Sequence, residues 1–410
     1  MAFLAVFTAA LNLRAGIASL GPVLADMLGA LGASGTWAGV LTAMPGMFFA
    51  IMGVLAVPIA MRVGVSRTLT AGMVLTLAGL ALRPFVGSIA LFLPLTALVV
   101  SGIALSNVLL PAWIKAHGGR HVVILMTIYG AVLGLSGALG PLSALVAQWQ
   151  GALLVWALPA VVQLLVWIVV LRHAGVDIPD HGAGSGDVQS AADSASGSAA
   201  AGASSNAKAS LWSSPTAVFL MIFFGLQSMT AYTQMGWMPQ MLTDAGVSSH
   251  TASIAIALVG AMNVIGGLVM PTIIDRARSL APFPVAFGVL TVLGYLGILL
   301  GASAAPLLWA FLLGIGGFCF PTALALIPAR SRSPLVTARL SGFVQPVGYV
   351  IAAVGPFLVG VAYQYAGEWT GILWALIVCA VLMGLVGLRA SRSVFIDDEL
   401  GAVPYAGSGD

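Results

Sequence analysis

Charge is what this sequence has least of. Of 410 residues, 15 are Lys or Arg and 12 are Asp or Glu, 7% in all. A soluble domain carries roughly 25%. So few charges cannot cover the surface of a water-soluble protein of this length, and the 60% hydrophobic content excludes a disordered chain. Cysteine is almost absent: Cys319 and Cys379 both fall in apolar runs, which leaves no disulfide framework and no cysteine metal cluster. P-loop, HExxH, GxSxG and CxxC patterns are missing too, and the run Gly314-Ile315-Gly316-Gly317 lies inside an apolar stretch, where it reads as packing. The expectations are therefore no enzyme activity, no cofactor and no metal. The chain starts apolar at Ala2 without a basic stretch, so its first segment is expected to stay as a helix instead of being cleaved.

What is present is apolar sequence in long runs. A spanning helix needs about 20 apolar residues, and twelve such runs fit: 3–29, 36–60, 67–86, 90–113, 122–147, 150–171, 215–242, 250–273, 283–301, 306–328, 337–364 and 369–388. The expected fold class is an all-α membrane protein with twelve transmembrane helices in two six-helix pseudo-repeat bundles. Thirteen of the fifteen Lys/Arg fall in loops after even-numbered helices, in the central linker or in the tail; Arg83 lies on the other side and Arg14 inside the first helix. That asymmetry predicts a multi-pass protein of a bacterial inner membrane with both termini cytoplasmic, and it explains the net charge of +3 without nucleic acid. The Gly/Ala/Ser-rich stretch 173–214 reads as a flexible cytoplasmic linker. It separates bundle 1–172 from bundle 215–390, with a tail over 391–410.

The bundles repeat one another. Gly140-Pro141 recurs as Gly355-Pro356, Trp149-Gln150-Gly151 as Trp369-Thr370-Gly371, and Pro58 before Arg62 as Pro271 before Asp275-Arg276. Six helices per half make these parallel repeats. Gly130-x-x-x-Gly134 and Gly297-x-x-x-Gly301 read first as close packing faces.

Polar residues at membrane depth carry the chemistry. Arg14 lies roughly 16 Å along the first helix, near the midplane, where an arginine costs about 2.5–3.5 kcal/mol and stays charged. All twelve acids fall in loops, tails or helix ends, and none of the five His is mid-helix. A solute bearing negative charge or strong acceptors would offset Arg14 by charge-assisted hydrogen bonds; the plain alternative is solvation by water and carbonyls. Gln227, Thr230 and Gln234 share one face of the seventh helix, with Tyr232 and Trp237 nearby. Asn12, Asn107, Tyr129, Asn263, Gln345 and Tyr349 are further interior polar groups. Met44, Met47, Phe318 and Phe320 are candidate cavity walls, for which core packing is the plainer reading. Lys115, Arg120, Arg330, Arg332 and Arg339 are expected to serve topology and closure between the halves. The missing central acids predict uniport, exchange, or coupling through the solute's own proton.

The motifs resemble a known family. Asn12-Leu13-Arg14 with Ser19-Leu20-Gly21-Pro22, Gly102 to Pro111 leading to Lys115, Gly225-Leu226-Gln227 with Trp237-Met238-Pro239, and Leu340 to Gln345 with Gly348-Tyr349 are similar to the cyanate-permease/nitroimidazole-transporter family of the major facilitator superfamily. The resemblance implies alternating access for small solutes, with Arg14, Asn107, Lys115, Gln227, Tyr232, Trp237 and Gln345 at the family's characteristic positions. The sequence departs at Ala15 and Ser106, and at Met61-Arg62-Val63-Gly64, where the superfamily's loop acid is missing. Arg62, Lys115, Asp275 and Arg276 are the expected gating residues of the cytoplasmic loops.

The expected function is secondary transport of a small anionic or acceptor-rich solute, such as cyanate or a small carboxylate. Arg14 would be the binding charge, with Asn12, Asn107, Tyr129, Gln227, Tyr232, Gln234, Trp237, Asn263 and Gln345 around it. Export of neutral or nitroaromatic xenobiotics such as nitroimidazoles is the alternative within transport; a membrane sensor or non-transporting scaffold is the alternative of another class. The expected partners are the solute and the lipid bilayer, and the expected assembly is a monomer.

Overall fold

A computed structural model describes residues 1–145, 147–174, 177, 210–332 and 334–400. In hydrocarbon the backbone must satisfy its own polar groups, so apolar runs of this length become helices. Among the described residues twelve helices are long and apolar enough to cross a membrane: α1 (Ala2–Ala30), α2 (Gly35–Val63), α3 (Val65–Phe85), α4 (Ile89–His117), α5 (Gly119–Leu145), α6 (Trp149–Arg172), α7 (Pro215–Asp244), α8 (Ser249–Ile274), α9 (Pro282–Gly301), α10 (Pro306–Ala329), α11 (Arg339–Ala366) and α12 (Thr370–Ala390). The count and positions match the sequence reading. Most of the expected linker lies outside the described residues.

The repeat is visible in the packing. A Cβ on Gly140 of α5 would lie 2.9–3.1 Å from Ala18 and Ala15 of α1, and one on Gly355 of α11 would lie 2.1 Å from Met229 of α7. Each Gly-Pro pair therefore seats its helix on the first helix of its own half.

The halves meet along α2 with α11 and α5 with α8. The first and last described residues, Met1 and Leu400, lie on one face, the terminal face, and the tight contacts lie toward the other, the remote face. There a Cβ on Gly39 or Gly46 of α2 would strike the α11 backbone at 2.8 Å, and one on Gly260 of α8 would strike that of α5 at 2.8 Å. The side chain and backbone amide of Thr36 also bond to Gln364 Oε1 across the halves. Toward the terminal face, Gly53 and Gly130 meet nothing within 4 Å. Of the two small-residue faces read from the sequence, Gly134 packs on Val264 of the other half, and Gly297 packs on Trp309 within its own.

At the terminal face, two carboxylates from outside the spans cap helix starts, where unpaired amides and the helix dipole favour an anion. Asp177, beyond α6, accepts from Ser66 N at 3.0 Å and Ser66 Oγ at 2.6 Å at the start of α3. It thus supplies an acid beside the loop whose own acid is missing, and His117 Nε2 stands 3.8 Å away. A final turn, α13 (Ile396–Glu399), docks on the second half: Glu399 accepts from Ser214 Oγ and from Thr216 N and Oγ1 at the start of α7. Arg330 is buried and donates to the carbonyls of Ala390 and Ser391. Arg332 pairs with Asp398 at 2.9 Å. These two bases hold elements of their own half together.

Candidate functional site

The centre of the site is a side-chain bridge onto the backbone of α1. Ser136 of α5, fully buried, donates to Leu11 O at 2.6 Å and accepts from Arg14 N and Ala15 N at 3.2 and 2.9 Å. The hydroxyl thus ties α5 to one turn of α1, which runs as continuous helix over Ala2–Ala18. One residue on, a Cβ at Gly137 would stand 3.4 Å from Arg14 Cδ, so the glycine leaves room for the arginine stem. Together Ser136 and Gly137 set where Arg14 points.

The Arg14 guanidinium is half-buried, and among the described residues it has no carboxylate or hydrogen-bond partner. It faces the Phe320 ring of α10 across the halves, 6.0 Å from the ring centre, a cation–π approach. The phenols of Tyr129 in α5, Tyr232 in α7 and Tyr349 in α11 lie in its neighbourhood. Tyr129 donates to Asn107 Oδ1 at 3.3 Å. Tyr349 collects aromatic neighbours: Phe49 at 5.4 Å, Phe224 at 5.2 Å and Tyr232 at 6.4 Å. The result is one cation inside an aromatic and phenolic ring drawn from both halves.

The other expected residues have hydrogen-bond partners of their own. Asn12 is buried and donates to Gln163 of α6 at 2.8 Å. Gln227 and Thr230 bond to their neighbours Ser228 and Leu226 O, and Gln234 donates to Tyr295 of α9 at 3.4 Å. Gln345 donates to Ser341 one turn away, and Asn263 to Val259 O. Trp237 sits at the remote-face seal, where its indole N–H reaches Thr42 Oγ1 at 3.1 Å and Pro356 O at 3.0 Å, tying α7 to both helices of the α2–α11 seam. Arg62, Lys115 and Arg276 lie exposed at the terminal face, and the Asp275 side chain lies outside the described residues. Met44 is buried in the core near the seal, Met47 is exposed, and Phe318 packs against Phe287.

Sequence reasoning gave Arg83 only a topological role, as a base on the opposite face. Its side chain is instead folded inward, 1% exposed, and donates from Nη2 to Gly16 O at 2.8 Å. Helix α1 breaks just beyond, where Leu20 N bonds to Ile17 O and so leaves Gly16 O without its usual helical donor. Arg83 caps that freed carbonyl.

The sequence profile of the Major Facilitator Superfamily matches residues 2–356. The chain belongs to that superfamily of membrane transporters. It is 33% identical to the transporter YycB of Bacillus subtilis, covering 94% of this chain and 92% of that one. It is 30% identical to a 2-nitroimidazole transporter of Escherichia coli, covering 93% of both chains. A cyanate transport protein of the same organism is 26% identical over 92% of this chain and 94% of that one. The fold is similar to that of the solved nucleoside transporter NupG, with a TM-score of 0.73 at 12% identity, covering 96% of this chain and all 100% of the other.

Proposed function

We propose that this transporter is a secondary carrier moving a small anionic or acceptor-rich solute by alternating access, with Arg14 as its binding charge. The proposal places it in a bacterial inner membrane with both termini cytoplasmic, so that the state described is open to the cytoplasm. The observation that carries the reading is Arg14 itself: a cation at the seam of the halves, ringed by residues from both, with no counter-charge among the described residues. The names of two relatives, a cyanate and a 2-nitroimidazole transporter, fit a planar solute rich in acceptors. A solute held by charge-assisted bonds to Arg14 gains about 1.5–3 kcal/mol, so Arg14→Ala is expected to weaken binding roughly ten- to a hundredfold. Cyanate flux into proteoliposomes, with protein insertion checked, is the measurement. Undiminished flux in Arg14→Ala would sink the reading.

The aromatic ring favours a second reading, a nitroaromatic solute whose nitro oxygens meet Arg14 while its ring stacks between Tyr232, Tyr349 and Phe320. Tyr349→Leu separates the two. It weakens a nitroimidazole by several-fold and leaves a small inorganic anion nearly unaffected.

A further inference from the structure

Beyond the central site, Arg83 lines a second cavity, on the remote-face side of Arg14. Its walls come from both halves and include Gly16 and Gly21 of α1, Thr42 of α2, Thr96 of α4 and Tyr232 of α7. The cavity is narrow, with room for an occupant little larger than water. Two of its wall residues hold buried polar atoms without partners: Arg83 Nε and Thr96 Oγ1. Both side chains are almost wholly buried, at 1% and 2% exposure.

The Gly16 carbonyl accounts for one nitrogen of Arg83 and for none of its net charge. A guanidinium does not escape burial by losing its proton, and a buried cation without a counter-charge is strongly unfavourable. Among the described residues no carboxylate pairs with Arg83. The Nε–H of Arg83 and the hydroxyl of Thr96 are two unpartnered donors on residues that line the same cavity, and an acceptor that also neutralises the site is an anion. We propose that Arg83 and Thr96 form a second anion site, separate from Arg14, for a small monatomic anion of halide size.

The position assigns it a part in the cycle. Tyr232 borders the cavity and also packs near Tyr349 of the central cluster, so one side chain adjoins both sites. Thr42 borders the cavity too and accepts the Trp237 bond of the seal. An anion at Arg83 therefore stands next to the central site, beside the residues that hold the remote face closed. The inference does not depend on the proposed role of Arg14 and is testable without it.

The test is thermal unfolding of the purified full chain in detergent, titrated with sodium bromide at constant ionic strength against sodium gluconate, whose anion is too large for the cavity. A ligand that binds only the folded state raises Tm saturably. The expected result is a bromide-specific rise that survives in Arg14→Ala, disappears in Arg83→Gln and needs about tenfold more bromide in Thr96→Val. A rise lost in Arg14→Ala and intact in Thr96→Val would assign the anion to the central site and overturn the proposal. An equal rise in every variant, or none in the native chain, would overturn it too and leave Arg83 as a hydrated cap on α1. Should Arg83→Gln fail to fold, Thr96→Val decides alone, since it keeps the shape of the cavity and removes only the hydroxyl.

Discussion

Gly46 and Gly53 sit seven residues apart on one face of α2, two helical turns along the same stripe. A Cβ at Gly46 would collide with α11 backbone, 2.8 Å from Ala353 N and 3.0 Å from Tyr349 O, whereas a Cβ at Gly53 would touch nothing within 4 Å. The pair Gly134 and Gly130 on α5 repeats the contrast against α8. Residues on one face share one neighbour, so the difference is a difference in gap: the halves touch at the remote end and part toward the terminal end. The point of divergence falls close to Arg14 and Tyr349, which places the central cation at the head of the opening. In a carrier that rocks, the stripe that is open here becomes the contact in the opposite state.

That contrast is broken most directly at Gly46. Any side chain there meets backbone, which cannot swing aside, and overpacking costs about 1–3 kcal/mol for a small group. Gly46→Val is expected to shift the balance away from the sealed state by roughly ten- to a hundredfold. A cysteine at Leu20, in a background with Cys319 and Cys379 replaced by Ala, reports it by faster thiol labelling from the remote face. Unchanged labelling means that the seal does not depend on the glycine contact.

Gly53→Val sharpens the same comparison from the other side. It meets no neighbour in the state described, so Tm is expected to hold or rise slightly as a helix glycine is removed. Under the proposed alternating access the terminal end has to close, so transport is expected to fall about tenfold. Full flux in this variant would show that Gly53 never meets α11.

The twelve spans were legible in the sequence because hydrocarbon leaves the backbone no alternative to helix over a long apolar run. Arg14 was legible for the same reason, as a charge at a depth where charge is expensive. Arg83 was not. It stands beside Pro84 at the end of α3, where a loop base is ordinary, and only the fold shows it turned onto Gly16 O. One signal was available: Arg83 was the lone loop base to break the charge asymmetry. The α7 stripe shows a different limit. Periodicity correctly makes Gln227, Thr230 and Gln234 interior, yet it does not say which neighbour each meets, such as Tyr295 for Gln234. Asp177 was hidden in a polar stretch that reads as linker, because nothing local to it announces the start of α3 as its partner.

A smaller effect is expected at Trp237. Its indole N–H is shared between Thr42 and Pro356 O, and Thr42 keeps a bond to Ala38 O when the indole is removed. Trp237→Phe therefore loses one shared bond, worth about 0.5–1.5 kcal/mol, and leaves no orphan hydroxyl. Labelling of the Leu20 cysteine from the remote face should rise about three- to tenfold, well short of Gly46→Val. A larger rise than at Gly46 would make the indole, not the glycine packing, the main seal.

The smallest effect belongs to the terminal face, where each of the two carboxylate caps acts within one half. Partial burial pushes the Glu399 carboxyl up, but hydrogen bonds from Ser214 and Thr216 and the charge of Arg389 outweigh it and hold the group below the usual glutamate range. A carboxyl whose pKa is lowered by folding stabilises the folded state above its unfolded pKa, and that stabilisation is lost as pH falls through the lower folded value. Docking of α13 should therefore be constant from neutral pH down to about 4.5 and weaken only below it. Glu399→Gln is expected to loosen the tail by about 1 kcal/mol at neutral pH, the low end for a part-exposed charged acceptor. Hydrogen exchange at the amides of 396–400 should quicken several-fold in this variant and lose its acid dependence, while remote-face labelling stays at the native rate. If labelling rose as well, the tail would be coupled to the seal and the two faces would not be independent.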